Sequence, residues 1–233
     1  MEQVLNYRVP YRRAVNIVEK SPAFKSHSTQ MSRGLLNFCD KLLNTSLNIN
    51  KMHRGGIHLF KFFDEEFNLI KSRFLSDSSY MKSDVRYFFG KINSIISKFQ
   101  HFKQLVEQTG SLIDSLEYDR YMTEAYIIDG LRDAKKFAVK KNVGYPSDSN
   151  VEAIIAKDEI KSINNILLHL HNTAIYLDKM KKILLTYEEN LVDVSLKFEN
   201  TIKDGIFDMS EQDMKYLEYS VGYLKSIHYK FIK

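Results

Sequence analysis

The chain has 233 residues, a formal net charge of +5 and 44% apolar residues, enough for one sizeable core but not for two full domains. Nine Gly and three Pro are few chain breakers, which disfavours a turn-rich all-β fold, and a single Cys excludes an internal disulfide framework and a Cys-based zinc site. No stretch approaches about 18 uncharged apolar residues and no secretory signal is visible, so we expect a cytoplasmic protein, attached at most to a membrane surface.

Residues 1–27 form the first predicted segment, a basic amphipathic N-terminal arm. Its first 25 residues carry a net charge of +3, and Arg8, Arg12 and Arg13 are among the basic ones. Pro10 restricts a regular helix to about residues 11–20. Two interpretations stay open: an arm that packs on the rest of the protein, and a helix that lies in a membrane interface.

The second segment, about residues 28–76, has apolar residues at helical spacing from Leu35 to Ile70. Gly55 and Gly56 interrupt this pattern, and two adjacent glycines cost roughly 2 kcal/mol in a helix interior. The pattern therefore allows either one continuous helix or two helices broken at the glycine pair.

The clearest pattern spans about residues 80–142, where apolar residues alternate at steps of three and four, as in a helix that packs along one stripe. A break at Arg120 and Thr123 predicts a kink or a polar layer. We expect the early part of this stripe to form a helix-packing or oligomer seam, which consists of Val85, Phe88, Ile92, Ile95, Phe99 and Phe102.

Turn-forming residues at 142–150 separate this helix from the next, which is predicted over about residues 151–203. Large apolar residues recur there at seven-residue steps and form a second predicted seam: Ile163, Leu170, Leu177, Leu184, Leu191 and Phe198. The last segment, residues 204–233, predicts a short C-terminal helix with its cap near Ser210 and with Glu211 and Asp213 in its first turn. Its apolar stripe includes His228.

These elements predict an all-α fold in which long antiparallel helices over residues 28–203 form an elongated coiled-coil-like bundle, followed by a short C-terminal helix. Long helices with narrow apolar stripes bury little surface alone. We therefore expect a homo-oligomer, in its simplest form a homodimer, or association with another helical protein.

Catalytic chemistry is not indicated by any motif. The chain has no glycine-rich phosphate loop, no HExxH and no GxSxG sequence. His169 and His171 are two residues apart, so a helix would point them in different directions and they could not share a metal ion. We expect a non-enzymatic protein without metal, cofactor or small-molecule substrate.

Positive charge is concentrated just before the predicted turn at 142–150. Residues 132–142 carry a net charge of +4, and the basic residues there are Arg132, Lys135, Lys136, Lys140 and Lys141, which we call the basic cluster. Such a concentration favours an acidic partner, for which membrane headgroups and nucleic acid are the natural candidates. Nucleic acid is disfavoured because there is no helix-turn-helix pattern and no run of basic residues interleaved with aromatic ones.

The order of long helices, the basic cluster before the turn at Gly144, Tyr145 and Pro146, and the basic N-terminal arm resemble the BAR superfamily of membrane-curvature proteins. The resemblance covers roughly residues 1–203. It implies a dimer of three long antiparallel helices per chain, in which the seams form the dimer core and Lys135, Lys136, Lys140 and Lys141 contact anionic headgroups.

The sequence thus favours a helical scaffold that binds acidic membranes through the basic cluster and the N-terminal arm. The alternative is a coiled-coil subunit of a larger secretion, viral or cytoskeletal assembly, which would act through protein–protein contacts. A nucleic-acid-binding helical protein is the third hypothesis.

Overall fold

A computed structural model describes residues 8–76, 82–142, 149–203 and 210–230. These residues contain no β-strand, and the predicted all-α fold with long helices and a short C-terminal helix is confirmed. Most of the predicted turn at 142–150 lies outside the described residues. The α-helices are α1 (Arg8–Lys20), α2 (Ser28–Ser76), α3 (Lys82–Asn142), α4 (Ser149–Lys203) and α5 (Glu211–Lys230), and a single 3-10 turn, Pro22–Phe24, joins α1 to α2.

The chain divides into two compact units. Unit 1 comprises Met1–Leu47 and Ser111–Lys179, and unit 2 comprises Asn48–Gly110 and Met180–Lys233. Each of the long helices α2, α3 and α4 contributes one part to each unit. A short helix completes each unit, α1 in unit 1 and α5 in unit 2.

In unit 1, α2 and α3 run antiparallel, as shown by the hydrogen bond of His27, just before α2, to Asp133 and by the ion pair of Lys41 with Asp119. Helix α1 packs on this pair through its apolar side, where Tyr11 and Val18 are fully buried. The Tyr11 ring contacts the ring of Phe38 on α2 edge to face, with 5.4 Å between centroids. From Arg8 onwards, the N-terminal segment is therefore an arm packed on the helices of unit 1.

Unit 2 has a core rich in aromatic side chains. Phe63 on α2, Phe99 on α3 and Phe198 on α4 meet there, and each is exposed by 2% or less. Helix α5 lies against α2 and α4. Glu218 on α5 forms an ion pair with Lys71 on α2 at 2.8 Å, and the hydroxyl of Tyr216 donates a hydrogen bond to the Asp193 carboxylate at 2.8 Å.

Helix α2 is continuous across Gly55 and Gly56, which decides between the two alternatives left by the sequence. Both glycines lie where another helix comes close. A Cβ on Gly55 would sit 3.0 Å from the Leu105 side chain, and a Cβ on Gly56 would overlap the His228 ring. The glycine pair therefore leaves room for side chains of α3 and α5. This close packing explains why two residues with low helix propensity lie in the middle of α2.

The break in the α3 pattern at Arg120 and Thr123 is a polar layer inside a continuous helix. Thr123 is buried, and its hydroxyl donates to the carbonyl oxygen of Asp119 at 2.6 Å. Arg120 forms an ion pair with Glu124 at 2.7 Å, and both side chains are largely buried. This buried ion pair explains why the apolar pattern is interrupted here although the helix continues.

The residues predicted for the two seams are buried within this one chain. Val85 lies outside the residues whose side chains are described. Every other member is exposed by no more than 4%: Phe88, Ile92, Ile95, Phe99, Phe102, Ile163, Leu170, Leu177, Leu184, Leu191 and Phe198. Because intramolecular packing already covers these side chains, an oligomer interface would need a different surface.

Candidate functional site

The basic cluster lies at the end of unit 1 where α3 ends and α4 begins. Three of its members are held by carboxylates. Arg132 pairs with Asp129 at 2.6 Å, Lys136 with Asp133 at 3.3 Å, and Lys141 with Glu152 at 2.7 Å. The last pair joins the end of α3 to the start of α4 and places these two segments side by side.

Asp133 connects the basic cluster to the rest of unit 1. It accepts hydrogen bonds from His27, which directly precedes α2, and from Lys136 on its own helix. These two contacts lower the pKa of Asp133 below its ordinary value, so the carboxylate stays charged across the physiological range. The positive charge of Lys136 is therefore partly neutralised.

Lys135 and Lys140 differ from the other members of the basic cluster. Both are exposed, and neither makes an ion pair or hydrogen bond within the described residues. A charge without an intramolecular partner is available to an external anion at no cost in broken contacts. These two lysines are the members best suited to bind an acidic surface.

Exposed apolar side chains surround the same end of unit 1. Val139 on α3 is 65% exposed, and Val151, Ile154 and Ile155 on α4 are each more than half exposed. All four lie within one helical turn of the two residues of the Lys141–Glu152 ion pair. We call them the apolar group. Lysines beside exposed aliphatic side chains combine charge with hydrophobicity, which suits the interface between lipid headgroups and acyl chains.

An open groove of 410 Å³ runs between α3 and α4 next to the basic cluster. Its floor is apolar, with Leu131 buried and Ile128 half exposed. The remaining lining residues are Arg132, Lys135, Lys136, Asn164 and Leu167. The groove therefore extends the combination of aliphatic and basic side chains along unit 1.

Small side chains fill the interior at this end of unit 1. Ala134 and Ala138 on α3 and Ala153 and Ala156 on α4 are exposed by no more than 5%. Alanines at buried positions let two helices approach closely, but each buries far less apolar surface than a leucine would. The core of unit 2, by contrast, contains large aromatic side chains.

The basic residues of the N-terminal arm do not lie beside the basic cluster. Arg12 and Arg13 are exposed on the outer side of α1, and the side chain of Arg8 lies outside those described. Tyr11, the neighbour of Arg12, packs on Phe38, whereas the basic cluster starts beside the His27–Asp133 pair. The contacts therefore do not gather the N-terminal arginines and the basic cluster into one site.

The sequence pattern does not indicate that the apolar group is exposed. Val151, Ile154 and Ile155 alternate with the small residues Ala153 and Ala156 in the first turns of α4. From hydrophobicity alone, the larger residues would be expected in the core and the alanines outside it. The structure shows the opposite arrangement, because the alanines lie between the two helices. Knowing that the two helices approach closely here is what makes the larger residues external.

Several other chemistries are not represented in the part of the chain that the structure describes. Its histidine, cysteine and acidic side chains do not form a group of three that could hold a metal ion. None of its helices combines the length and the apolar character that a membrane crossing requires. Cys39 is buried in unit 1.

Comparison with known proteins gives no family assignment. The chain matches no protein-family model and no curated protein sequence.

Proposed function

We propose that this protein is a non-enzymatic helical scaffold that binds acidic membrane surfaces through the basic cluster and the neighbouring apolar group. The observation that carries the proposal is the exposure of four aliphatic side chains beside Lys135 and Lys140 at one end of unit 1. In this mechanism the lysines attract anionic headgroups, and the aliphatic side chains enter the interface. The BAR-like hypothesis is the specific form of this proposal in which the chain dimerises and prefers curved membranes.

The size of the effect follows from the charges. A lysine close to an anionic leaflet contributes about 1 kcal/mol. Replacing Lys135 and Lys140 together by glutamine should therefore weaken binding by about 2 kcal/mol, or roughly 30-fold. Because neither side chain holds an ion pair within the described residues, the double variant should keep its fold.

Co-sedimentation with vesicles of phosphatidylcholine, with and without phosphatidylserine, tests the proposal. The wild-type chain should sediment only with the anionic vesicles, and the Lys135→Gln/Lys140→Gln variant should remain largely in the supernatant. The matched control is Lys51→Gln/Arg54→Gln, which removes two exposed charges from α2 in unit 2. Equal loss of binding in both double variants would show that net charge, rather than the basic cluster, determines affinity.

Vesicle size addresses the BAR-like part separately. Stronger binding to small vesicles than to large ones of the same composition would support a preference for curvature. Binding that is independent of size would leave a charge-driven peripheral scaffold and remove the curvature function. No binding to any anionic vesicle would overturn the membrane proposal.

A specific observation also supports a second candidate, a subunit of a larger protein assembly. In unit 2, Leu185, Val192 and Leu196 are exposed on α4 at spacings of seven and four, which places them along one side of the helix. Tyr219 and Tyr223 are exposed on α5. Exposed aliphatic and tyrosine side chains at helical spacing are typical of protein interfaces.

Sedimentation velocity separates the alternatives for this surface. If unit 2 carries the interface, a Leu185→Ser/Val192→Ser variant should shift a self-associating chain to the monomer or lose a stoichiometric partner in a pull-down. A wild-type chain that is monomeric at all concentrations and lacks a partner would count against both the dimer and the assembly subunit.

A further inference from the structure

The structure assigns a conformational role to His228: we propose that α5 is a pH-sensitive latch, held on the rest of unit 2 by the hydrogen bond between His53 and the buried His228, and released when His228 as well as His53 is protonated. This inference concerns unit 2 alone and does not depend on membrane binding by unit 1. It begins with the position of His228, which is fully buried although histidine is most often found at least partly exposed.

The contact of His228 with α2 is a hydrogen bond between two imidazole rings. The Nδ1 atom of His53 lies 3.0 Å from the Nε2 atom of His228, and the rings stack with centroids 4.9 Å apart. One neutral ring donates the single proton between them and the other accepts it. If both rings become charged, neither can accept, and two positive charges face each other at contact distance.

The side chains around the pair are aromatic and supply no negative charge. The rings of Phe60 on α2 and Phe102 on α3 meet His228 edge to face. Tyr187 on α4 does so as well, and its buried hydroxyl makes no hydrogen bond. Burial raises the pKa of that hydroxyl, so it stays neutral. The neighbouring ring of Tyr229 completes the surroundings on α5, and no carboxylate contacts His228 among these groups.

The second ring nitrogen of His228 is also in an environment unfavourable to charge. Its Nδ1 atom is buried without a hydrogen-bond partner and faces Gly56, where no side chain could fit. A buried polar atom left without a partner costs free energy, and a charged one would cost considerably more. Burial and the charge of His53 accordingly lower the pKa of His228 from 6.5 to about 4, although a hydrogen bond with the His53 backbone opposes part of this shift.

The direction of the pH effect follows from the two protonation states. When α5 is released, His228 is solvated and has its ordinary pKa of 6.5, so between pH 6.5 and 4 the released state binds more protons than the docked state. Docking is therefore strongest well above pH 6.5 and weakens as pH falls towards 4. Near pH 5 the docking equilibrium should fall by a factor of order ten.

Carboxylates also hold α5 in place, and their protonation would add to the pH dependence of docking. Glu218 pairs with Lys71, Asp64 pairs with Lys225, and Asp193 accepts from Tyr216. Protonating these carboxylates would also loosen α5, but carboxylates ordinarily titrate near pH 4, below the range in which a released histidine does. Measurements at about pH 5 therefore report mainly on the histidine pair.

Amide hydrogen exchange on the full chain tests the latch. Peptides from α5 and from α1 are compared at about pH 7.5 and about pH 5, with labelling times scaled for the intrinsic pH dependence of exchange. Helix α1 serves as the internal reference because it is packed on unit 1. We expect protection to fall roughly tenfold in α5 and to stay constant in α1.

His228→Phe is the decisive variant, since a phenyl ring fills similar space and cannot be protonated. Its α5 protection should no longer depend on pH between 7.5 and 5, whereas His58→Phe, at an exposed histidine of α2 in the same unit, should behave as wild type. Equal loss in α1 and α5, or an unchanged pH dependence in His228→Phe, would overturn the latch.

Histidine ring resonances of the wild-type chain provide a readout if His228→Phe does not fold. The latch requires that the His228 ring stays neutral at about pH 5.5 while α5 is docked, since its pKa there is about 4. A His228 ring that titrates at its ordinary value with α5 protection unchanged would overturn the proposal.

Discussion

At the scale of single residues, Gly56 shows where sequence patterns stop being sufficient. The apolar spacing from Leu35 to Ile70 predicts a helix, and the glycine pair argues against one, so the sequence could not decide. The deciding contact comes from His228, a residue far along the chain. Helix propensity is local, but the space that a side chain needs is set by whichever helix packs against it.

Substitution of glycines on two helices measures that contact. Gly56→Ala and Gly222→Ala gain the same helix propensity, but a Cβ at position 56 would overlap His228 and one at position 222 would meet open space. We expect Gly56→Ala to be less stable than Gly222→Ala by about 1–3 kcal/mol, the usual cost of overpacking. Urea denaturation of the two variants provides the comparison, and equal stability would show that the His228 contact is loose.

The buried pair of Arg120 and Glu124 gives a second prediction at this scale. Arg120→Leu leaves the carboxylate of Glu124 buried without its counter-ion, which should cost about 3–5 kcal/mol. The double variant Arg120→Leu/Glu124→Leu should recover most of this loss, because an apolar pair of similar volume needs no counter-charge. Denaturation midpoints of the three chains test it. A double variant as unstable as the single one would mean that the polar layer has further partners.

At the scale of secondary structure, the seven-residue patterns predicted the helices well. The two seams are buried over their described length, and α3 and α4 extend to within a few residues of the predicted bounds. The periodicity could not tell whether a partner chain or the same chain covers each stripe. Helical stripes look alike in both cases, and the distinction depends on how α1 and α5 fold back.

The cap of α5 is a local feature that the sequence predicted and the structure contains. Ser210 accepts a hydrogen bond from the amide of Asp213 at 3.1 Å, and Asp213 accepts one from the amide of Ser210 at 3.0 Å. The Ser210 hydroxyl also donates to the Asp213 carboxylate at 2.6 Å, and this bond, together with the one from the Ser210 amide, lowers the pKa of Asp213. The cap is therefore intact at neutral pH and is lost only as pH falls below the ordinary range of aspartate.

Ser210→Ala removes one half of this reciprocal cap. We expect α5 to lose about 1 kcal/mol of stability, which would appear as faster amide exchange in its first turns. Ser226→Ala is the control, since Ser226 lies within the same helix and its exposed hydroxyl bonds only to the carbonyl oxygen of Tyr223 among the described residues. A cap variant that exchanges no faster than this control would show that packing alone fixes the start of α5.

At the scale of the whole molecule, composition predicted an all-α protein and the charge distribution predicted the basic cluster. Which lysines remain available could not be predicted, because the ion pair between Lys141 and Glu152 joins two helices across a turn. The apolar group was missed for the same reason. Both depend on how the end of α3 meets the start of α4.

Salt provides a test of charge at this scale. The chain carries a net charge of +5, and the proposed membrane contact relies on exposed lysines that mobile ions screen. Binding to anionic vesicles should weaken several-fold when ionic strength rises from about 0.05 M to about 0.15 M. In a Val139→Ser/Ile155→Ser variant, affinity should be lower at both salt concentrations while the ratio between them is retained. Salt-independent binding would assign the interaction to the apolar group alone.

The alanines buried between α3 and α4 have a consequence for the energetics of opening. Since each buries little apolar area, the free energy that resists local unfolding should be smallest near Ala138 and Ala153 and largest around the aromatic core of unit 2. The backbone beside the basic cluster would then open and close many times for each global unfolding event. A lipid surface that binds only the closed form would make local unfolding rarer, so membrane binding would stabilise the region that the small side chains stabilise least.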